Sequence, residues 1–321
     1  MNRALITTLA AVTMTSTAPD AAASQSAESA AQAPGTFEWH TYAGEAGARR
    51  YRLFIPPNRD ATRPAPLVVM LHGCTQDPDD FARGTRFNAL AAGAGVLVAW
   101  PEQNAEHQVQ KCWSWYDPAH QAAARGEPAL IAGITREVVA GHAVDAKRVY
   151  VVGVSAGAAM AVNVAASYPG LFAAVGSHSG IPYRAASDVP HALGVMRGGS
   201  TDPAILAYAL QDAAGARTMP LIAIHGGADA VVSPLNSRQL AAQWAGVLGL
   251  SSSPPRHITE GGLATERTRW SGADGRPVIE LVIVDGLGHA WSGGSPEGTF
   301  TDARGPDASR LILDFLLAHS R

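Results

Sequence analysis

Residues 153–157 read Gly-Val-Ser-Ala-Gly, and the chemistry this spacing serves is attack by a serine hydroxyl. Val149 to Val152 before it form a β-branched and aromatic run that reads as a buried strand, and the small residues after it read as a helix. Strand, Gly-x-Ser-x-Gly, helix is the setting of a nucleophile elbow. The turn is so sharp that neighbouring chain passes close by, which leaves no room for a Cβ at the flanking glycines. It lifts the Ser155 hydroxyl above the sheet edge and aims a helix N-terminus at it, where unpaired N–H groups suit a developing oxyanion. A serine is a poor nucleophile at neutral pH and needs a base within hydrogen-bond reach. Among 11 histidines, His289 is singled out by its place after an apolar run, between Gly288 and Ala290-Trp291. As base it would take the serine proton and later return it to the leaving alcohol. Asp229 ends the run Leu221 to Asp229 and would hold the imidazole in one tautomer. Asp285 is the rival carboxylate, but it is too close in sequence to His289 to come from a separate loop.

The elements that must position these residues are apolar runs alternating with helical stretches. Leu67–Leu71, Val96–Pro101, Val149–Val152, Phe172–Ser177, Leu221–Ile224 and Val278–Val284 read as buried strands of a parallel sheet. Helices are expected over 79–92, 128–141, 203–213, 236–247 and 307–319. Residues 37–55 read as an antiparallel hairpin at the sheet edge, and 103–126 as a long polar loop. Residues 180–202, rich in Gly, Pro and Ala, read as a lid. The fold class is therefore α/β, a mostly parallel doubly wound sheet with a short cap segment. The order Ser155, Asp229, His289, with gaps of about 74 and 60 residues, matches the α/β-hydrolase arrangement. Two backbone amides would complete the oxyanion hole. Ala156 supplies one, and the turn His72-Gly73-Cys74-Thr75-Gln76 after the Leu67–Leu71 strand supplies the other, at Cys74.

Composition excludes several classes of function. The 321 residues are 47% hydrophobic with a net charge of −3, so one large core is available and no basic stripe suits nucleic acid. Residues 1–23 read as a signal peptide, with Arg3 in the n-region, Ala4 to Met14 as a mildly apolar core and Ala21-Ala22-Ala23 at the cleavage site. Residues 24–36 read as a disordered lead-in, and 37–321 as the catalytic domain. No run approaches the length a membrane helix needs. In an exported chain the two cysteines, Cys74 and Cys112, suggest one disulfide. No cluster has metal-ligand spacing, and no cofactor is expected. His72 and His225 read as hydrogen-bonding scaffolds in strand-end turns.

The chain resembles the secreted esterases of the poly(3-hydroxybutyrate) depolymerase family. The matching segments are His72 to Gln76, Cys112-Trp113-Ser114-Trp115, Gly153 to Gly157, His225 to Asp229, Gly288 to Gly294 and Thr301 to Ala308. The resemblance implies Ser155, Asp229 and His289 as the triad and the Cys74 amide in the oxyanion hole. It implies a Cys74–Cys112 bridge that pins the tryptophan loop, with Trp113, Trp115 and Trp291 walling an apolar cleft. Members that attack insoluble granules add a linker and a binding domain. Here 32 residues follow His289, which points to short hydroxyalkanoate esters and oligomers as substrate. Feruloyl and acetylxylan esterases share the pattern and are the alternative. A non-catalytic binding protein on the same fold is the alternative of another class.

Overall fold

The computed structural model describes residues 35–57, 59–200, 203–214 and 219–321. The expected signal peptide, and the lead-in up to residue 34, lie outside them. Six apolar runs form the middle of one sheet: β3 (Ala65–Leu71), β4 (Leu97–Pro101), β5 (Val144–Val154), β6 (Ala174–His178), β7 (Leu221–Gly226) and β10 (Pro277–Val284). They are parallel, in the order β4-β3-β5-β6-β7-β10. Every residue of β3, β4, β6 and β7 is buried, because helices cover both faces and leave no side for polar groups.

Pleating sends alternate side chains to two separate cores. Leu67, Val69 and Leu71 face a layer built from α3 (Gly126–Gly141), α4 (Ala156–Ser167), α6 (Pro203–Ala214) and α7 (Leu235–Leu248). Val68 and Met70 face α1 (Pro78–Thr85), α2 (Phe87–Ala94) and α8 (Ala308–Leu317). Asp77 caps α1 by accepting from the Asp80 amide, and Asp307 caps α8 by accepting from the Arg310 amide, which satisfies amides with no helical partner.

Antiparallel hairpins finish both ends of the sheet. β1 (Thr36–Gly44) and β2 (Gly47–Ile55) join at β4, as expected for residues 37–55. At the far end β9 (Leu263–Ser271) and β8 (Arg256–Glu260) extend β10; this second hairpin has no counterpart in the sequence reading. The single helix expected over 79–92 is two, broken where Arg86 takes the left-handed conformation at φ 53°. The expected lid contains α5 (Val189–Gly198), which leans on the start of α7: Asn236 donates to the Val195 carbonyl and the Ser233 amide to that of Met196.

Candidate active site

Ser155 sits between β5 and α4 at φ 55°, ψ −122°, a region costly to any residue with a Cβ. The surroundings enforce it. A Cβ on Gly153 would overlap the Gly157 carbonyl, and one on Gly157 would overlap the carbonyls of Leu71 and His72. The Ser155 amide donates to the His178 carbonyl at 2.9 Å, which ties the elbow to the neighbouring strand end.

β7 and β10 are adjacent and parallel, so their carboxyl ends release the Asp229 and His289 turns side by side. His289 Nε2 lies 3.0 Å from Ser155 Oγ, and Nδ1 lies 2.7 Å from Asp229 Oδ2. A carboxylate only accepts, so Nδ1 carries the proton and Nε2 is free to accept from the serine. Asp229 is fully buried as a side chain, whereas His289 is 14% exposed. Burial opposes the Asp229 charge. Hydrogen bonds from His225 and His289, the nearby His289 ring and the Val232 amide outweigh it and hold the carboxyl below its usual range. Its Oδ1 accepts from the Val231 and Val232 amides. The rival Asp285 is exposed and takes no part.

Three strand-end histidines serve as scaffolds. His225 bridges Ser237 Oγ and the Val232 carbonyl, with Nε2 3.2 Å from Asp229 Oδ2. His72 contacts the Gly73 carbonyl through Nδ1 and accepts from the Gln103 amide through Nε2; burial lowers its pKa to about 4. His178, which the sequence did not single out, accepts from the Ser292 amide and stacks on Trp291 with ring centres 4.9 Å apart. Burial, then the His225 and His289 rings, lower it to about 3. Its signal was its place at the end of an apolar run, the same as that of His72 and His225.

On the other side of Ser155 runs the turn after β3. A Cβ on Gly73 would lie 3.6 Å from the serine Cβ. The Ala156 amide opens α4 and so has no acceptor within the helix; the Cys74 amide donates to no group among the described residues. Cys74 and Cys112 are joined by a disulfide. The tryptophan expectation needs correction. Trp113 is 0% and Trp291 1% exposed, so neither walls an open cleft. Each has an apolar body packed in a core and an N–H that reaches a buried acceptor, the His72 carbonyl for Trp113 and Ser309 Oγ for Trp291. Trp115 is 6% exposed and meets Tyr116 edge-on. Among the described residues no group of three or more His, Cys, Asp or Glu side chains could hold a metal.

Sheet order, elbow and the sequence Ser, Asp, His along the strand ends define an α/β-hydrolase. An acetyl xylan esterase from Aspergillus awamori shares that fold, with a TM-score of 0.66 at 22% identity over 78% of this chain and 94% of its own. The chain belongs to the Esterase PHB depolymerase family, whose match covers residues 49–258 and so includes Ser155 and Asp229 but stops short of His289. It is 33% identical over 229 residues to poly(3-hydroxyalkanoate) depolymerase C of Paucimonas lemoignei, covering 70% of this chain and 55% of that protein. It is 30% identical over 251 residues to acetylxylan esterase A of Aspergillus oryzae, covering 74% and 78%. The chain thus spans little more than half of the depolymerase it matches.

Proposed function

We propose that the protein is an exported serine ester hydrolase that cleaves short hydroxyalkanoate esters and oligomers through an acyl-serine. The observation that carries this reading is the chain of contacts from Ser155 Oγ to His289 to Asp229 at 3.0 and 2.7 Å. In the first step Ser155 Oγ bonds to the acyl carbon while its proton passes to His289 Nε2. The carbonyl electron pair moves to oxygen, where the amides of Ala156 and Cys74 receive it. Collapse expels the alcohol, which takes the proton from His289. Water repeats the sequence against the acyl-serine, freeing the acid and restoring Oγ–H.

Family membership supports ester hydrolysis, and similarity to a poly(3-hydroxyalkanoate) depolymerase supports a hydroxyalkanoate acyl group. The apolar N-terminal segment and the disulfide support export. Among the described residues no helix is long and apolar enough to cross a membrane. A second reading, acetylxylan esterase, is favoured by the longer coverage of the Aspergillus oryzae relative.

The test is Ser155→Ala assayed with p-nitrophenyl butyrate, 3-hydroxybutyrate oligomers, acetylated xylan and a feruloyl ester. The expected outcome is a fall in kcat of at least about 10⁴-fold on every ester the wild type cleaves, with oligomers the preferred substrate. Activity close to wild type in the variant would overturn the acyl-serine, and preference for acetylated xylan would select the second reading.

A further inference from the structure

The segment from Gln103 to Arg125 connects β4 to α3 with no regular structure beyond a short 3-10 turn at Pro118–His120. Connections this long inside a compact domain are usually functional. This one meets the turn after β3 at four points. Cys112 is bonded to Cys74, the Thr75 amide donates to the Gln110 carbonyl at 2.7 Å, the Trp113 indole donates to the His72 carbonyl at 3.1 Å, and the Gln103 amide donates to His72 Nε2 at 3.0 Å. The placement of the Cys74 amide is therefore only as good as the placement of this segment.

One buried acid fixes the segment to the body of the protein. Glu127, the second residue of α3, is 2% exposed. Its Oε2 accepts from the Ser114 amide at 2.8 Å and its Oε1 from Gln103 Nε2 at 2.6 Å. Gln103, itself 1% exposed, also donates from Nε2 to the Cys112 carbonyl at 3.1 Å. The carboxylate thus holds Ser114 directly and Cys112 through Gln103, the two neighbours of Trp113, next to the disulfide.

Glu127 has no close counter-ion. The charged and titratable groups facing it are Arg49 from β2 and Asp117 and His120 from the segment before α3. Arg49 acts across space and makes no ion pair with it among the described residues. His120 Nδ1 is 3.7 Å away but accepts from the Glu127 amide, so that nitrogen has no proton to offer the carboxylate. Burial pushes the Glu127 carboxyl up to about 7, against the Ser114 amide, Arg49 and the Gln103 side chain. A carboxyl with its folded value raised in this way costs stability in its ionised form, increasingly as pH climbs above the ordinary carboxylate value. An acid held at such a cost calls for a use. Both inputs are N–H donors, and only an ionised carboxylate offers each of them a charged oxygen; an amide would offer one oxygen.

We propose that Glu127 is a positioning residue, whose carboxylate clamps the 112–115 segment and thereby holds the Cys74 amide where the oxyanion forms. This rests on the ester-hydrolase reading above. Protonation removes the charge and turns one of the two oxygens into a hydroxyl, a weaker acceptor, so the clamp loosens as pH falls.

The test compares wild type, Glu127→Gln and Gln103→Leu, with Ser155→Ala as the blank, by kcat and KM for p-nitrophenyl butyrate across about pH 5 to 9. Circular dichroism checks folding. For folded Glu127→Gln the expected result is a kcat at least about ten-fold lower with KM within about two-fold. The acid limb of log kcat, steeper in wild type than one ionisation allows, should fall to a single ionisation in the variant. A kcat within about two-fold of wild type overturns the proposal, as does a lower kcat with an unchanged acid limb. If Glu127→Gln does not fold, Gln103→Leu decides by kcat: a fall with KM held supports the clamp, and wild-type values overturn it. Wild type no more active than the blank removes the hydrolase reading itself, and the clamp with it.

Discussion

The two sides of Ser155 are built by different means. The Asp229 and His289 turns leave neighbouring parallel strands in register, Ile283 opposite His225 and Val284 opposite Gly226. Their backbones interlock so closely that a Cβ on Gly226 would overlap the carbonyls of Leu287 and Gly288. No covalent tie is used there. The turn after β3 instead faces a long irregular segment; a disulfide and two bonds at His72 join the two, and a buried glutamate fastens the segment to α3. At the base of each side lies a buried neutral histidine whose Nε2 accepts a loop amide, Ser292 for His178 and Gln103 for His72. Where adjacent strands deliver two loops, the sheet sets their spacing; where a turn must be held against a connection, separate fasteners are required.

This contrast can be tested from its strongest element downward. Asp229→Asn keeps the shape of the sheet-delivered side but reverses the hydrogen-bonding preference at His289 Nδ1. Its kcat should fall by roughly 10⁴-fold, with near-UV circular dichroism unchanged. A loss under ten-fold would mean that the strand ends alone orient the imidazole. Removing the fastener on the other side, as Cys74→Ser with Cys112→Ser, opens a loop of 38 residues. Urea unfolding should then show a loss of about 4 kcal/mol in the loop-entropy view, with kcat reduced at temperatures where the protein remains folded. Retained kcat would show that the remaining hydrogen bonds suffice.

The smallest effect concerns the paired histidines. Their folded values, about 4 for His72 and about 3 for His178, lie below the ordinary imidazole value. The unfolded chain therefore binds protons below about pH 6.5 that the folded protein refuses, and stability falls as pH drops from there toward those values. Between about pH 7 and 5 each should cost about 2 kcal/mol. Urea unfolding of wild type and His72→Gln at the two pH values checks this: over that interval the variant should lose about 2 kcal/mol less stability than wild type.

The site was legible in the sequence to the extent that it sits on strand ends. Ser155, Asp229 and His289 each follow an apolar run and stand among glycines, and the sheet brings such positions to one edge. Glu127 was illegible because it lies at a helix start, where an acid is ordinary; its partners are a backbone amide and a glutamine that no pattern marks. The tryptophans misled because an indole is equally suited to a core and to a cleft. The hairpin of β8 and β9 was missed because an edge pair needs little apolar content: Arg256, His257, Arg267 and Arg269 give no strand signal. The break at Arg86 is likewise silent, since arginine is a good helix former and only its backbone turns aside.

The two terminal hairpins carry a consequence for how molecules of this protein meet one another. An open sheet offers unpaired amides at its rims, where a foreign strand could dock and begin a fibre. Here one rim is the five-residue β8, with Arg256 and His257 turned to solvent. On the other, the guanidinium groups of Arg50 and Arg52 lie across the ring of Trp39, and Arg52 also covers Phe37. Charge thus covers the aromatic surface nearest that rim, so the edge strand of a ten-stranded sheet presents guanidinium groups rather than bare rings to a neighbour.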